Sequence, residues 1–405
     1  MANKITNTDN YTAIANAIRA KLGVQTTYTP PQMAAAIASI PQGGADFSEI
    51  KSIRGLFSLK PELLKYAGSI DWGLLRSSSK RNDEAFAYAI QSAAENEDFQ
   101  EYVQGISVLD AKMFYYSTHL TAIDYASNII PSYSDLSYIF ENCYLLDPKN
   151  AIEALETALD NDASGGHNLQ SALHNCGKNR TEGAVIGDVY LEGVTTATQM
   201  FQAAKIKKIG NLTLSYTGGA QTFGNLFDGC TALEEVGLIS GYRCNANNAH
   251  SLVLGCTNLK KFGGLYFSNQ GTTSIITTQS NRLLGNTSFT KLEEILNVPV
   301  SYFQYGGTQI ANMAGTASSP KPLRRLTFNT TNIAYTNKTN YKSFSIAYCS
   351  FDREGMVEMF NSLPNASNVT GAKVITITGN PCVTDGTLTA EDRAIATNKG
   401  YSLTE

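Results

Sequence analysis

Charge is scarce in this chain: Asp, Glu, Lys and Arg together make up 16% of its 405 residues, against roughly 25% in ordinary globular domains. The deficit is spread over both signs. The formal net charge is −4, which leaves no basic surface to attract a nucleic acid. Long apolar runs are missing too. None approaches the roughly 18–20 residues that cross a bilayer as a helix, so no membrane insertion is expected. Seven cysteines form no CxxC pair, and an odd number argues against a complete disulfide framework or a zinc site. The start, MANKITNTDNYTAIANAIRAK, lacks a basic stretch followed by an apolar core. The expectation is synthesis in a bacterial cytoplasm without export by the general secretory route.

Catalytic signatures are absent as well. There is no GxSxG, Walker A, HExxH or strand-linked GxGxxG pattern. The four histidines, His119, His167, His174 and His250, are scattered. The cluster His167, His174 and Cys176 has no familiar ligand spacing. Glycine pairs such as Gly218–Gly219, Gly263–Gly264 and Gly306–Gly307 read as turns and have no neighbouring Lys-Ser/Thr to hold phosphate. The acidic pairs Glu234–Glu235 and Glu293–Glu294 read as solvated carboxylates. No catalytic residue, cofactor or metal ligand is nominated, and the chain is expected not to be an enzyme.

What is present begins with residues 1–42. Capping residues Thr8, Asp9 and Asn10 precede a run with Ile14, Ile18 and Leu22 on one stripe, and Gly23 ends it. Thr29–Pro30–Pro31 starts a second run carrying Met33, Ile37 and Ile40, and Pro41 closes it. Two such helices bury little alone. This hairpin is therefore expected to be an attachment or oligomerisation module, with Ile14, Ile18, Leu22, Met33 and Ile37 as its anchor residues. Residues 43–109 read as a mainly helical linker or cap.

From residue 110 one pattern recurs: an aromatic or Leu, a few small residues, Cys or another small residue, Leu three on, then an apolar residue and a β-like run. It appears in MFYYSTHLTAI (113–123), IFENCYLLD (139–147), MFQAAKIKKIGNLTL (200–214), FDGCTALEEVGL (227–238), LGCTNLKKFGGLYF (254–267), SFTKLEEILNVPV (288–300) and PKPLRRLTF (320–328). Cys230 to Cys256 is a step of 26 residues and Cys143 to Cys176 one of 33. Units of this length build arrays in which neighbours share one core. Cys143, Cys176, Cys230, Cys256 and Cys349 fall on or near the repeated small position, as small core residues. Period-two segments supply strands. Val189, Leu191, Leu212, Leu214, Leu265, Phe267, Leu326, Phe328, Ile375 and Ile377 are expected inside. Tyr190, Thr213, Tyr266, Thr327 and Thr376 are expected outside, as one candidate binding face.

The F-x-x-C-x-x-L-x-x-I/V spacing, with the closing stretch 356–405 as its strongest part, resembles BspA-like leucine-rich repeats. The hairpin pattern at 11–41 resembles a module of phage and prophage tail or fibre proteins. These likenesses imply an α/β repeat solenoid over 110–405, with a short strand plus a short helix or turn per repeat and a C-terminal capping unit, behind a helical N-terminal region. They imply a non-catalytic bacteriophage virion protein, a tail-fibre or tail-tip component that binds the host surface. A purely structural virion part, such as a head fibre, decoration or connector protein, is the alternative. A bacterial surface adhesin would need an export signal. A glycan depolymerase would need a carboxylate pair in a cleft, and no pair can be named. The expected partners are other virion proteins through the N-terminal module, a host-surface glycan or protein, and further copies of the chain.

Overall fold

In a computed structural model the described residues are 106–131, 133–216, 218–219, 221–242, 250–267, 283–284, 289–299, 313–330, 343–368, 371 and 373–405, together with Ala15, Asn16, Ile18 and Arg19. The chain divides into two units, Met1–Arg180 and Thr181–Glu405. About seven turns of β-solenoid fall within residues 167–404.

In the first unit β1 (Ile106–Leu109) pairs in parallel with β2 (Tyr125–Pro131). Ile106–Leu109 thus begins the strand structure inside the stretch expected to be helical. Helix α1 (Pro148–Asp160) follows. Asp147 caps it by accepting from the Lys149 amide, and Pro148 occupies the first turn, where a missing N–H costs nothing. Its apolar stripe, Ala151, Ile152, Leu155 and Leu159, is buried. Asn161, at its end, donates to the Ser127 and Ile129 carbonyls of β2. Strand β3 (His167–Asn168) is the last strand of this unit among the described residues.

The second unit is built from parallel strands. In chain order they are β4 (Ala184–Ile186), β5 (Val189–Glu192), β6 (Val194–Thr196), β7 (Ile206–Ile209), β8 (Leu212–Ser215), β9 (Glu235–Val236), β10 (Ile239–Gly241), β11 (Lys261–Phe262), β12 (Leu265–Phe267), β13 (Glu294–Pro299) and β14 (Arg325–Asn329). One six-stranded sheet runs β14-β13-β11-β9-β7-β4, and a four-stranded sheet runs β12-β10-β8-β5. The coils carrying β4 to β12 add one strand to each sheet, β13 and β14 extend only the six-stranded one, and a coil's apolar residues meet those of the coils on either side. Val189, Leu191, Leu212, Leu214, Leu265, Leu326, Phe328, Ile375 and Ile377 are all buried. The Phe267 side chain lies outside the described residues.

The part of each coil expected as a short helix or turn is not helical. Residues with positive φ recur four apart, at Lys112 and Tyr116, Tyr138 and Asn142, Ser171 and Asn175, Gln199 and Ala203, Asn225 and Gly229, Ser251 and Gly255. A left-handed residue every fourth position breaks the i to i−4 ladder of an α-helix. The amides turn sideways instead: those of Gln199, Phe201 and Ala203 donate to the Gly224, Leu226 and Asp228 carbonyls of the next coil. The fold is therefore a β-solenoid with little helix, its turns stacked in parallel.

The repeated small position is also explained by bonding between coils. Ser117, Cys143, Cys176, Ala204, Cys230 and Cys256 each donate a backbone N–H to the carbonyl three residues earlier. The Cys143, Cys230 and Cys256 thiols donate to the Phe114, Phe201 and Phe227 carbonyls of the preceding coil, at 3.0, 2.9 and 3.1 Å. The Cys349 thiol reaches the Met313 carbonyl in the same way. Beneath them the Phe201 and Phe227 rings stack at 5.0 Å.

The six-stranded sheet ends against α2 (Arg353–Ser362), which lies over β14 in place of a further strand. Ser362 accepts the Phe328 N–H at 3.1 Å, and Glu358 holds Arg325 through two hydrogen bonds. A third parallel sheet is made of β15 (Phe344–Ser345), which precedes α2 in the chain, with β16 (Val374–Thr376) and β17 (Ser402–Thr404) after it; the stretch after α2 also carries α3 (Pro381–Thr384) and α4 (Ala390–Asn398). Ile375 pairs with both Phe344 and Leu403.

Candidate functional site

The four-stranded sheet places Tyr190 opposite Thr213, Thr213 opposite Ser240 and Ser240 opposite Tyr266. Alternation within each strand turns these side chains away from the buried residues Val189, Leu212, Ile239 and Leu265, each one position earlier. Tyr190 is 47% exposed, and the other three are half-buried. Thr213 and Ser240 share a hydroxyl–hydroxyl hydrogen bond of 3.0 Å. Neighbouring strands lie about 4.8 Å apart, so the two tyrosines at the ends of this row stand roughly 14 Å from each other. The row is uncharged, with hydroxyls throughout.

The expected face of five residues divides. Tyr190, Thr213 and Tyr266 come together on this sheet. Thr327 lies on β14 of the six-stranded sheet, where its hydroxyl accepts the Asn297 N–H at 3.0 Å. Thr376 lies on β16, a third sheet. Ser240 joins the row unforeseen, because Ile-Ser-Gly is too short for period-two alternation to show. Of the anchor residues, Ile18 is helical and buried, and Ile14, Leu22, Met33 and Ile37 lie outside the described residues.

A second aromatic surface belongs to the first unit. Tyr116 is 41% exposed, and its ring meets Tyr115 edge-on at 4.6 Å. Lys112 places its ammonium 5.8 Å from the Tyr138 ring, whose hydroxyl accepts from Gln170. Partial burial pushes the Tyr144 hydroxyl up, aided by Tyr116 and Glu141 nearby. Tyr116 and Tyr138 both hold positive φ, a conformation a bulky side chain rarely adopts.

The charged doublets are not simply solvated. Glu234 lies between Lys207 at 3.8 Å and Lys260 at 2.7 Å, and Glu235 pairs with Lys208 at 2.6 Å. Glu294 meets Lys261 at 3.4 Å and Arg324 at 3.0 Å, and Glu293 meets Arg324 at 3.2 Å. The Lys260 hydrogen bond holds the Glu234 carboxyl below its usual range. The reading of Glu234–Glu235 and Glu293–Glu294 as mere solvated charge is corrected by their place in register between cations.

His167 is buried, with Nε2 3.7 Å from Asp162, and burial lowers its pKa. His174 places Nδ1 2.9 Å from Glu141, while the Cys176 thiol points to the Leu146 carbonyl. Burial pushes the Cys256 and Cys349 thiols up to about 12, the reverse of what a nucleophile needs. Among the described residues no three His, Cys, Asp or Glu side chains are grouped to hold a metal ion. Among the same residues no helix is long and apolar enough to cross a membrane.

The fold defines the class: this is a β-solenoid protein. No family model, curated protein or solved structure matches the chain.

Proposed function

We propose that this chain is a non-catalytic bacteriophage virion protein, a tail-fibre or tail-tip component whose solenoid binds a host-surface glycan or protein. The observation that carries the reading is the in-register row Tyr190, Thr213, Ser240 and Tyr266. Its backbone is fixed by parallel strand pairing, on both sides at Thr213 and Ser240 and on one side at Tyr190 and Tyr266, so little conformational freedom is lost on binding. Tyrosine offers an apolar ring and a polar tip to such a ligand. The N-terminal module would attach the chain to other virion proteins, consistent with the tail-type pattern at 11–41.

The test has two arms. Antibody labelling of purified particles is expected to find the chain in the virion, and its absence there would overturn the reading. Full-length protein carrying Tyr190→Ala and Tyr266→Ala is then compared with the parent for binding to host cells and to their isolated glycans. Loss of two aromatic contacts is expected to weaken binding about tenfold or more, with an unchanged melting curve. Presence in the particle with no binding by the parent protein would favour a head fibre, decoration or connector.

A further inference from the structure

We infer that the charged doublets on the six-stranded sheet are a register key, which makes each coil stack on its immediate neighbour and not on the next but one. The apolar residues cannot make that choice. Ile209, Val236, Phe262, Ile295 and Leu326 are all buried, and each ends or enters the same inward position. A coil that skipped its neighbour would bury much the same surface. The loop thrown out would add little, because closure entropy rises only slowly with loop length.

The doublets do make the choice. Going up the sheet they read Lys207–Lys208, Glu234–Glu235, Lys260–Lys261, Glu293–Glu294 and Arg324–Arg325, and Glu358 of α2 closes the series. The strand register sets Lys208 against Glu235, Glu235 against Lys261, Lys261 against Glu294 and Glu294 against Arg325. Every neighbouring pair is opposite in sign. Skipping one coil anywhere sets like against like: Lys207–Lys208 on Lys260–Lys261, Glu234–Glu235 on Glu293–Glu294, Lys260–Lys261 on Arg324–Arg325. Two columns do this at once, so each error brings together four like charges. Like charges directly opposite across strands destabilise a sheet. Single exposed ion pairs add little stability. What the alternation supplies is a difference between correct and incorrect partners, which is the quantity specificity needs. A stripe meant for a charged ligand would carry one sign.

The test uses one double substitution in two backgrounds. In the full chain, Lys207→Glu with Lys208→Glu sets four carboxylates together, and the unfolding midpoint is expected to fall by roughly 2–4 °C or more. In a chain lacking the 26 residues 234–259, Leu233 joins Lys260 and the first two doublets become Lys on Lys. There the same double substitution restores alternation, and the midpoint is expected to rise. Both effects should shrink in 1 M salt, where the screening length is about 3 Å. Shifts of the same direction in both backgrounds, or none in either, would overturn the inference. If the shortened chain folds in neither form, the full chain still decides. Inverting every doublet and Glu358 together keeps the alternation and should leave the midpoint and refolding yield near those of the parent. Glu234→Lys with Glu235→Lys alone should lower both. Equal values for these two variants would overturn the inference.

Discussion

Between the two sheets of the second unit the coils carrying β4 to β12 each turn a corner at a glycine, and the corners stack. A Cβ on Gly210 would lie 2.8 Å from the Gly187 carbonyl carbon. One on Gly237 would lie 2.5 Å from the Gly210 carbonyl carbon and oxygen, and one on Gly263 would lie 2.4 Å from the Gly237 carbonyl carbon. At Gly210 the Asp188 carboxylate stands in the way as well, but at Gly237 and Gly263 the obstacle is backbone, which cannot swing aside as a side chain would. Gly237→Ala is therefore expected to cost about 3 kcal/mol by overpacking. Gly187→Ala, with nothing within 4 Å of its Cβ, should stay within about 0.5 kcal/mol of the parent. Equilibrium urea unfolding compares them, and equal costs would show that the column relaxes freely. These glycines follow Ile186, Ile209, Val236 and Phe262 at a fixed offset, so the column was legible as a motif. Reading glycine only as a turn marker hid it. The cysteines were legible as small core residues, but their thiol hydrogen bonds to the preceding coil were not. A bond to a carbonyl 29 residues away leaves no local trace.

Among the elements, the closing stretch was the most legible because its helices have their own start signals. Asp352 caps α2, and Thr389 with Asp392 forms a capping box on α4. Helix α1 carries equally clear signals in Asp147–Pro148, but Asp147 is also the last residue of the repeat string 139–147. The coils' turn segments were the reverse case, where small and polar residues left short helix or turn open, and left-handed residues every fourth position make them turns. The closing unit also makes a testable electrostatic contact. Arg353 grips Asp392 through two hydrogen bonds of 2.8 and 3.0 Å, and the Asp392 carboxyl is held down to about 2, chiefly by Arg353 and then by the Thr389 amide. A carboxyl whose pKa is depressed on folding binds its proton first in the unfolded chain. Its contribution is present above the ordinary carboxylate pKa near 4 and fades as pH falls through about 2. Unfolding midpoints between pH 5 and pH 2 should drop less steeply in Asp392→Asn than in the parent, from a lower starting value at pH 5. Parallel curves would remove Asp392 from the account of acid sensitivity.

For the molecule as a whole, the sequence made stacked coils legible and left the partner hidden. The same inward leucines and phenylalanines are needed whatever the outer residues touch, so the core pattern carries no information about a ligand. The uneven step of the repeats blurred which outer residues share a sheet, which is why Thr327 and Thr376 were grouped with Tyr190. An array of this kind must also stop. β14 is the last strand of its six-stranded sheet, and an open strand edge is a template for another chain. Here α2 closes it: Ser362 takes the Phe328 N–H, Glu358 takes Arg325, and Gly355 lies so close that a Cβ would meet the Arg324 carbonyl at 2.3 Å. Removing residues 343–405 would uncover Leu326 and Phe328, both now buried, beside unpaired backbone groups. The truncated chain is expected to associate in a concentration-dependent manner, seen as growth in light-scattering mass over a tenfold dilution series, while the full chain keeps one mass. Ending the chain after residue 342 with Leu326→Lys and Phe328→Lys, which places charge on the exposed edge, should reduce that growth. A truncated chain whose mass does not change with concentration would show that the six-stranded sheet needs no closing helix to protect its last strand.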